Sequence, residues 1–543
     1  LPHASSDGRW YLSAPEGLVS VNKEGKDRKV QLKVERSGPP TPIPQFQKVL
    51  VNMLGSRIAI VCNERLYHLN GTTPSFQTAN PPPGSLLTDR MPRSIAFSPS
   101  GNQLGWIEGA TLYWKEGDTP AKSIQLNQEK PVDKPEGHLL LRNARLITMQ
   151  GKEIIDPGDV LIEGNRIKAI GVSGTLPVPA GTITMDMTGK VIVPGFIDMH
   201  AHAAVRSELI DAYNPALLAN LSFGITALRD PQNGPDMLAY ADAIDAGDMI
   251  GPRVFTTGPS FLEINNIQSL DEARWLVGTY HKNYNNRFIK LYLPGTRQQR
   301  QWFIQACRES NMMPTMEAGG DAKEVITHFL DGAAGNEHTL STAPVYEDLI
   351  QLFAKSQTVY TPTLLVSFGA ALPIYRLLAE ERPYDDPRVN YFSPDDVFQT
   401  AGKRVLWFPD EEMNYRETGA GAGAVLKAGG HAALGGHGEM QGMSNHWEMK
   451  LLQDAGVPQH DILRMATSEG AHALGLDQDL GSLTPGKIAD LVILEKDPLI
   501  DIRFARTTLM VMKNGRLYQS SNLEEVWPRK RKVDLWWHSS AKP

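Results

Sequence analysis

Short apolar runs broken by polar, glycine-bearing turns fill the first 120 residues, whereas apolar runs alternate with longer amphipathic stretches over most of the rest. Three early segments share one plan: SDGRWYLSAPEGLVSVN (6–22), LGSRIAIVCNERLYHLN (54–70) and PSGNQLGWIEGATLYWK (99–115). Each carries a turn glycine, a short apolar strand, a polar turn and a second strand, which predicts antiparallel hairpins. Gly8, Gly55 and Gly101 lie 47 and 46 residues apart. That period is close to the roughly 40–50 residues of a β-propeller blade. Propellers close with about 4–8 blades, so three units predict part of a ring, completed by chain preceding Leu1 or by a second chain. An open three-unit sheet is the alternative.

The polar, proline-bearing stretch around 117–136 predicts a linker. After it, LLLRNARLIT (139–148), DVLIEGNRIKAIG (159–171) and TITMDMTGKVIVPG (182–195) read as strands, with EGNR as a hairpin turn. ADLVILEKD (489–497) and TLMVMKNGRLYQ (508–519) read likewise, with Asn514-Gly515 as a second hairpin signal. Two such distant groups predict one small composite β-sandwich. Between them, about 196–475, strand-like segments (GITALRD, PRVFTTG, RFIKLYL, MPTMEAG, GNEH, VYTPTLL, AALGGHG) alternate with helical ones such as RQQRQWFIQACRESN. That alternation predicts an α/β fold, a (β/α)8 TIM-like barrel; a doubly wound open sheet is the alternative. The expected layout is blades over 1–120, a linker over 121–136, the sandwich from 137–195 with 480–520, the barrel over 196–479 and a tail over 521–543. The stretch 366–420, rich in Tyr, Phe, Pro and charge, is expected to fold over the barrel mouth as a lid.

The chain has 543 residues, 41% hydrophobic and 21% charged, with a net charge of −7. No basic excess exists to neutralise phosphates, which argues against a nucleic-acid partner. The RKRK run at 529–532 predicts a solvated tail. No apolar run approaches the roughly 20 residues of a membrane span. Cys62 and Cys307, the two cysteines, fall in different predicted domains and are expected as free thiols. The first residue is Leu1, so a preceding leader or larger piece is expected to have been removed.

Chemistry in such a barrel collects at the carboxyl ends of the strands. Those ends, in order, offer His200 and His202, Lys290, Glu317, His338 and His437. His200 and His202 lie two apart on a strand, so they share a face and can reach one ion. Tyr292, two residues past Lys290, is a candidate to polarise a substrate carbonyl, and Glu439, two past His437, a candidate base. Asp230 reads as a loop-capping carboxylate, His472 as structural and His446 as pocket-lining.

VPGFIDMHAH, IKLY, the EH at 337–338, ATSEGAHALG (466–475) and GSLTPGKIADLVIL (481–494) resemble the amidohydrolase superfamily over about 137–520. With the SPSG and SSDG openings, the chain is similar to the branch that fuses a TolB/WD40-like propeller to the hydrolase domain. The resemblance implies one or two divalent ions in the barrel, Zn foremost with Mn or Fe as alternatives. It implies His200, His202, Lys290, Glu317, His338 and His437 as metal ligands, with Lys290 as a carbamate bridge. The candidate catalytic residues are His437 as proton carrier, with Glu439 or Glu317 as alternatives, and Tyr292. Two positions depart from the pattern: Glu317 stands where the family has His, and His437 where it has Asp.

The expected activity is hydrolysis of amide-type C–N bonds in a cyclic amide, N-acyl or small peptide substrate by a metal-activated water. The alternative is a catalytically impaired barrel that binds, with the propeller as its interaction surface. A homo-oligomer and a periplasmic or secreted location are the further expectations, with the cytoplasm as the alternative.

Overall fold

The computed structural model describes the chain except residues 1–2, 5–7, 15, 36–45, 53–55, 63, 71–74, 78–80, 204, 206–209, 232–235, 259–260, 263–266, 294, 318–320, 368–369, 394–405, 407, 536 and 538–543. Its internal contacts divide the chain into two compact units. One comprises Leu1–Lys130, Phe261–Arg287 and Leu293–Met312; the other comprises Pro131–Ser260, Phe288–Tyr292 and Met313–Pro543.

The first unit holds three mainly antiparallel sheets, the first of which gains Ser75–Gln77 as a parallel edge strand beside Lys29–Glu35. Trp10–Ala14, Gly17–Val21 and Lys29–Glu35 dominate the first; Phe46–Val51, Arg57–Cys62, Arg65–Asn70 and Leu86–Thr88 form the second. Arg93–Phe97, Gln103–Glu108, Thr111–Glu116 and Lys122–Gln125 form the third. The period-2 geometry of a strand, with a core on each face, explains why IAIVC (58–62) is apolar throughout. Ile58, Ile60 and Cys62 share a core with Leu18, Leu32 and Val34, whereas Ala59 and Val61 share another with Leu104 and Trp106. The middle sheet is therefore buried on both faces. Gly101 turns with φ +73°, and its carbonyl accepts Asn52 Nδ2 at 3.1 Å; Gly55, the middle turn glycine, lies outside the described residues. The start of the expected linker is instead an edge strand, because Ser123 and Ile124 pair with Tyr113 and Leu112. Helix Leu270–Tyr284, capped by Ser269, belongs to this unit. Its Trp275 Nε1 donates to the Asp89 carbonyl at 3.0 Å, and the Arg65 guanidinium lies 4.2 Å over the Trp275 ring.

In the second unit, strands from both expected groups join, as one nine-stranded sheet where a sandwich was expected. Its order runs Arg166–Val172, Ile154–Glu163, His138–Ile147, Val191–Pro194, Leu491–Leu494, Thr508–Lys513, Arg516–Gln519 and Glu525–Trp527. The seam joins Val191 to Leu494 and Pro194 to Leu491. Leu139, Leu141, Ile192, Leu491, Ile493, Met512 and Trp527 make its core. The expected tail is a correction: Glu525–Trp527 is a sheet strand, and Arg529 reaches back to the Glu525 carboxylate at 3.2 Å. Arg529 is thus held by a buried acid instead of floating free.

Pro194-Gly195 carries the chain from this sheet into the parallel strands. A Cβ on Gly195 would lie 2.1 Å from Thr226 Oγ1, so only glycine passes there. Phe196–Asp198, Ile225–Asp230 and Arg253–Thr256 form one parallel sheet; Phe288–Leu293, Met313–Glu317, Gly335–Glu337 and Val359–Thr361 run parallel in another. Residues 431–437 join the two: Ala433 N donates to the Tyr360 carbonyl at 2.9 Å, and Met199 N donates to that of Leu434 at 2.8 Å. This is the cyclic order expected of a barrel. Among the described residues, however, no ladder links Arg253–Thr256 to Phe288–Leu293, and the eighth segment is bridged without becoming a regular strand. Phe255 and Phe288 face each other across that gap with ring centroids 5.8 Å apart. The expected single closed sheet is thus two sheets.

Of the stretch expected as a lid, helices Pro373–Glu381 and Pro387–Phe392 bury Ile374, Leu377, Val389 and Phe392; residues 394–405 lie outside the described residues. Cys62 and Cys307 are free and buried. No described helix is long and apolar enough to cross a membrane.

His446, expected to line a pocket, sits in the core between Phe196 and Phe223 with centroids 5.7 and 5.8 Å away. Burial holds its imidazole neutral and pulls its pKa to about 3, against the opposing hydrogen bond it donates to the Phe223 carbonyl at 2.8 Å. An exposed histidine in the unfolded chain protonates near pH ~6.5. Unfolded chain therefore gains a proton that folded chain refuses, and stability falls as pH drops from about 6.5 towards 3. His446→Gln keeps a donor and cannot titrate, so between pH ~7 and ~5 it should lose less denaturant stability than the parent. Equal losses would remove His446 from the acid sensitivity.

Candidate functional site

The HAH sequence ends the first parallel strand, and three backbone contacts shape the segment beyond it. Ala201 N donates to the Arg229 carbonyl at 3.1 Å, His437 N to that of His200 at 2.6 Å and His202 N to that of His437 at 3.0 Å. The two histidine-bearing segments are thus interlocked. Close approach explains the GGHG sequence: a Cβ on Gly435 would lie 2.8 Å from His200 Cβ, and one on Gly438 2.7 Å from the His202 carbonyl oxygen. Asp230 caps the loop as expected, accepting from Ala203 N at 2.8 Å, and lies 3.9 Å from His202 Nδ1. His338 and His437 adopt φ of 69° and 63°, a strained region for side-chain-bearing residues that costs on the order of 1–3 kcal/mol each.

Four imidazoles meet here. Ring centroids are 5.0 Å apart for His200–His202, 5.1 Å for His200–His437, 4.7 Å for His202–His437, 4.5 Å for His200–His338 and 5.4 Å for His338–His437. His200, His202 and His437 each offer a nitrogen within 4.8 Å of the others, so these three can hold one divalent ion. His200 Nε2 and His202 Nε2 are only 3.2 Å apart. Burial and the surrounding positive groups keep these two rings neutral: His200 falls well below its ordinary value and His202 falls to about 3. Neutral imidazoles have lone pairs to give, so the donor chemistry fits a metal ion.

Hydrogen bonds select which nitrogen gives. His200 Nδ1 donates to Glu337 Oε2 at 2.7 Å, and His437 Nδ1 donates to Glu439 Oε1 at 3.0 Å. A carboxylate can only accept, so it fixes the proton on Nδ1 and leaves Nε2 bare. Glu337 is a functional residue that the sequence patterns did not single out. It is fully buried, and its other oxygen accepts from Arg229 Nη2 and Thr315 Oγ1. The signal was present as the residue preceding His338, but its partners come from three other strands.

The remaining candidates form a group beside the triad. Lys290, wholly buried, brings Nζ within 2.6 Å of Glu317 Oε2, off the angle of a good hydrogen bond. Glu317 Oε1 lies 3.2 Å from His338 Nε2, and His338 Nδ1 lies 2.7 Å from Thr363 Oγ1. Burial pushes the Glu317 carboxyl up, but the His338 hydrogen bond and the charges of His338 and Lys290 outweigh it and bring it to about 2. Tyr292 is partly buried, and Lys290 Nζ lies 5.4 Å from its ring centre. His472 stacks on His431 at 3.9 Å, away from the cluster.

The chain has known relatives. Residues 421–518 match the Amidohydrolase family. A 5-methylthioadenosine/S-adenosylhomocysteine deaminase of Pelotomaculum thermopropionicum is 24% identical over 390 residues, covering 66% of this chain and 85% of that protein. The fold is similar to that of a Xaa-Pro dipeptidase with methionine bound in its active site, at a TM-score of 0.55 and 19% identity over 70% of this chain and 100% of that one. It is similar also to molinate hydrolase, at 0.56 and 17% identity over 74% of this chain and 99% of that one. These likenesses cover the α/β fold and leave the N-terminal sheets to be described by their own geometry. The similarity to the Amidohydrolase family model thus spans residues 421–518.

Proposed function

We propose that the protein is a metal-dependent hydrolase of amide-type C–N bonds, with a cyclic amide, N-acyl compound or small peptide as substrate and zinc as its ion. The observation that carries this reading is the meeting of His200, His202 and His437 nitrogens within 4.8 Å. Zinc bonds imidazole nitrogen at about 2.0–2.1 Å, which spaces tetrahedral ligands about 3.3 Å apart; the His200 and His202 Nε2 atoms are 3.2 Å apart. The relatives named as a deaminase and a dipeptidase also break C–N bonds. We read the eight parallel segments as the barrel of this enzyme and the three N-terminal sheets as propeller blades.

When bound, a divalent ion supplies Lewis acidity, which activates water and polarises a carbonyl. The chain's own groups do the rest. Glu337 and Glu439 hold the Nδ1 protons of His200 and His437, keeping both rings in the donor tautomer. The Glu439 hydrogen bond with His437 lowers its pKa and keeps the carboxylate ionised, and its position two residues past His437 makes it the group that takes the proton of the attacking water and passes it to the leaving nitrogen. Tyr292, kept as a phenol by burial and by the charge of Glu317, is the oxyanion donor. The alternative of an impaired, binding-only barrel is not favoured: the position that lacks Asp carries a metal-competent imidazole instead.

Elemental analysis of the full chain should find zinc, and chelation should abolish turnover on a panel of dipeptides, N-acyl amino acids and cyclic amides. Protein without metal and without metal-dependent turnover would defeat the reading. Glu337→Gln should weaken zinc affinity by about 10–100-fold in chelator competition; unchanged affinity would strip Glu337 of its role. Glu439→Gln should cut kcat by about 10²–10⁴ even when saturated with zinc, whereas full activity in the zinc-saturated variant would confine Glu439 to positioning His437.

A further inference from the structure

The geometry points to a ligand site within the N-terminal unit: a cavity that takes a short peptide as a zwitterion, its ammonium held at Glu108 and its carboxylate by Arg90 and Lys282. The cavity encloses about 520 Å³, within the roughly 300–1,000 Å³ of small-molecule sites. It lies between strands of the third sheet and one face of helix Leu270–Tyr284, and all its walls belong to the first unit. Nothing in it depends on the metal-dependent reading.

The walls are set before any ligand arrives. Trp275, Thr279, Lys282 and Asn283 share one helix face by their spacing. Trp275 is fixed there by its bond to the Asp89 carbonyl at 3.0 Å and by the Arg65 guanidinium over its ring. Asn283 Nδ2 donates to the Arg90 carbonyl at 2.9 Å. On the sheet side, the Tyr113 ring stacks on the buried Trp106 at 5.7 Å. Gly109 brings the hairpin tip against the helix: its φ is +55°, and a Cβ there would lie 2.9 Å from the Asn283 carbonyl oxygen. Two half-buried aromatic rings thus offer apolar surface in fixed places. That rigidity spares a ligand the cost of ordering the site.

Charge says what the cavity receives. Glu108 is 7% exposed, and Trp106 Nε1 donates to its Oε1 at 2.9 Å. Among the described residues no cation and no other donor meets that carboxylate. A buried charge without a counter-charge is costly, so a ligand ammonium that reaches Glu108 is favoured. Asp89, Arg90 and Lys282 also line the cavity, and none of them forms an ion pair among the described residues. Two acids and two bases thus share one space without neutralising one another. A ligand with one sign of charge would leave the other pair unmet, whereas a zwitterion meets both. Glu108 is buried and Arg90 and Lys282 are exposed, so the opposite charges come from opposite ends of the ligand. A free amino acid bears both on one carbon; a dipeptide or tripeptide separates them.

The test is titration calorimetry on the full chain in EDTA, which silences metal-dependent turnover, with leucyl-leucine as the probe. The parent should bind it. Glu108→Gln keeps the oxygen that accepts from Trp106, and Lys282→Met changes an exposed helix position; each should weaken binding about tenfold or more. Blocking the ligand should give the same loss at the matching end. N-acetyl-leucyl-leucine should bind the parent about tenfold more weakly and be indifferent to Glu108→Gln, and leucyl-leucinamide should be indifferent to Lys282→Met. No binding by the parent would overturn the inference. Equal affinity in the parent and both variants would place the peptide elsewhere and overturn it too. Cellobiose bound more tightly than the dipeptide, and lost in Trp275→Ala, would assign the cavity to uncharged ligands and overturn the zwitterion.

Discussion

A buried imidazole serves as a donor only when its single proton is held on the opposite nitrogen, and that constraint organises this centre. His200 is fully buried and meets the Glu337 carboxylate through Nδ1. Glu337 in turn takes Arg229 and Thr315, so its charge is neither free nor mobile. His437 repeats the device with Glu439 on the more exposed side. Remove the carboxylates and the rings could rotate or change tautomer; the lone pairs would no longer converge.

The glycines around His437 serve the same end by another route. Side chains at Gly435, Gly436 and Gly438 would collide with Thr361, Asn445 and the His202 backbone. Their absence lets the eighth segment lie against the first strand and exchange backbone hydrogen bonds at His200 and His202. The left-handed backbone at His338 and His437 is the cost of aiming both rings inward. Beside them the buried Lys290 Nζ lies 2.6 Å from Glu317 Oε2.

Much of this was legible in the chain because it is written in local patterns. The HAH pair after a β-branched run announced two rings on one face, and the NG and EGNR turns announced the composite sheet. The repeat around Gly8 and Gly101 announced antiparallel sheets. Other features were hidden because they depend on partners far along the chain. Glu337 looks like any acid before a histidine until Arg229, Thr315 and His200 surround it. His446, which sits in a glycine- and methionine-rich stretch, reads as pocket-lining until Phe196 and Phe223 enclose it. Edge strands were missed for a related reason: Lys122–Gln125 and Glu525–Trp527 are only four and three residues long, and only their neighbours' open hydrogen-bonding groups make them strands.

The seam between Val191–Pro194 and Leu491–Leu494 ties the HAH strand to a segment synthesised far later. Translation at roughly 5–20 residues per second leaves that apolar strand without its partner for about 15–60 s. The N-terminal sheets have all their strands by Gln125 and can form while the ribosome is still at work. The histidine centre follows a later schedule: the strand leading to His200 and His202 has its His138–Ile147 neighbour early but gains the other only when Leu494 emerges. A chain released before Leu494 thus carries complete N-terminal sheets and a histidine-bearing segment whose supporting strand still lacks one neighbour.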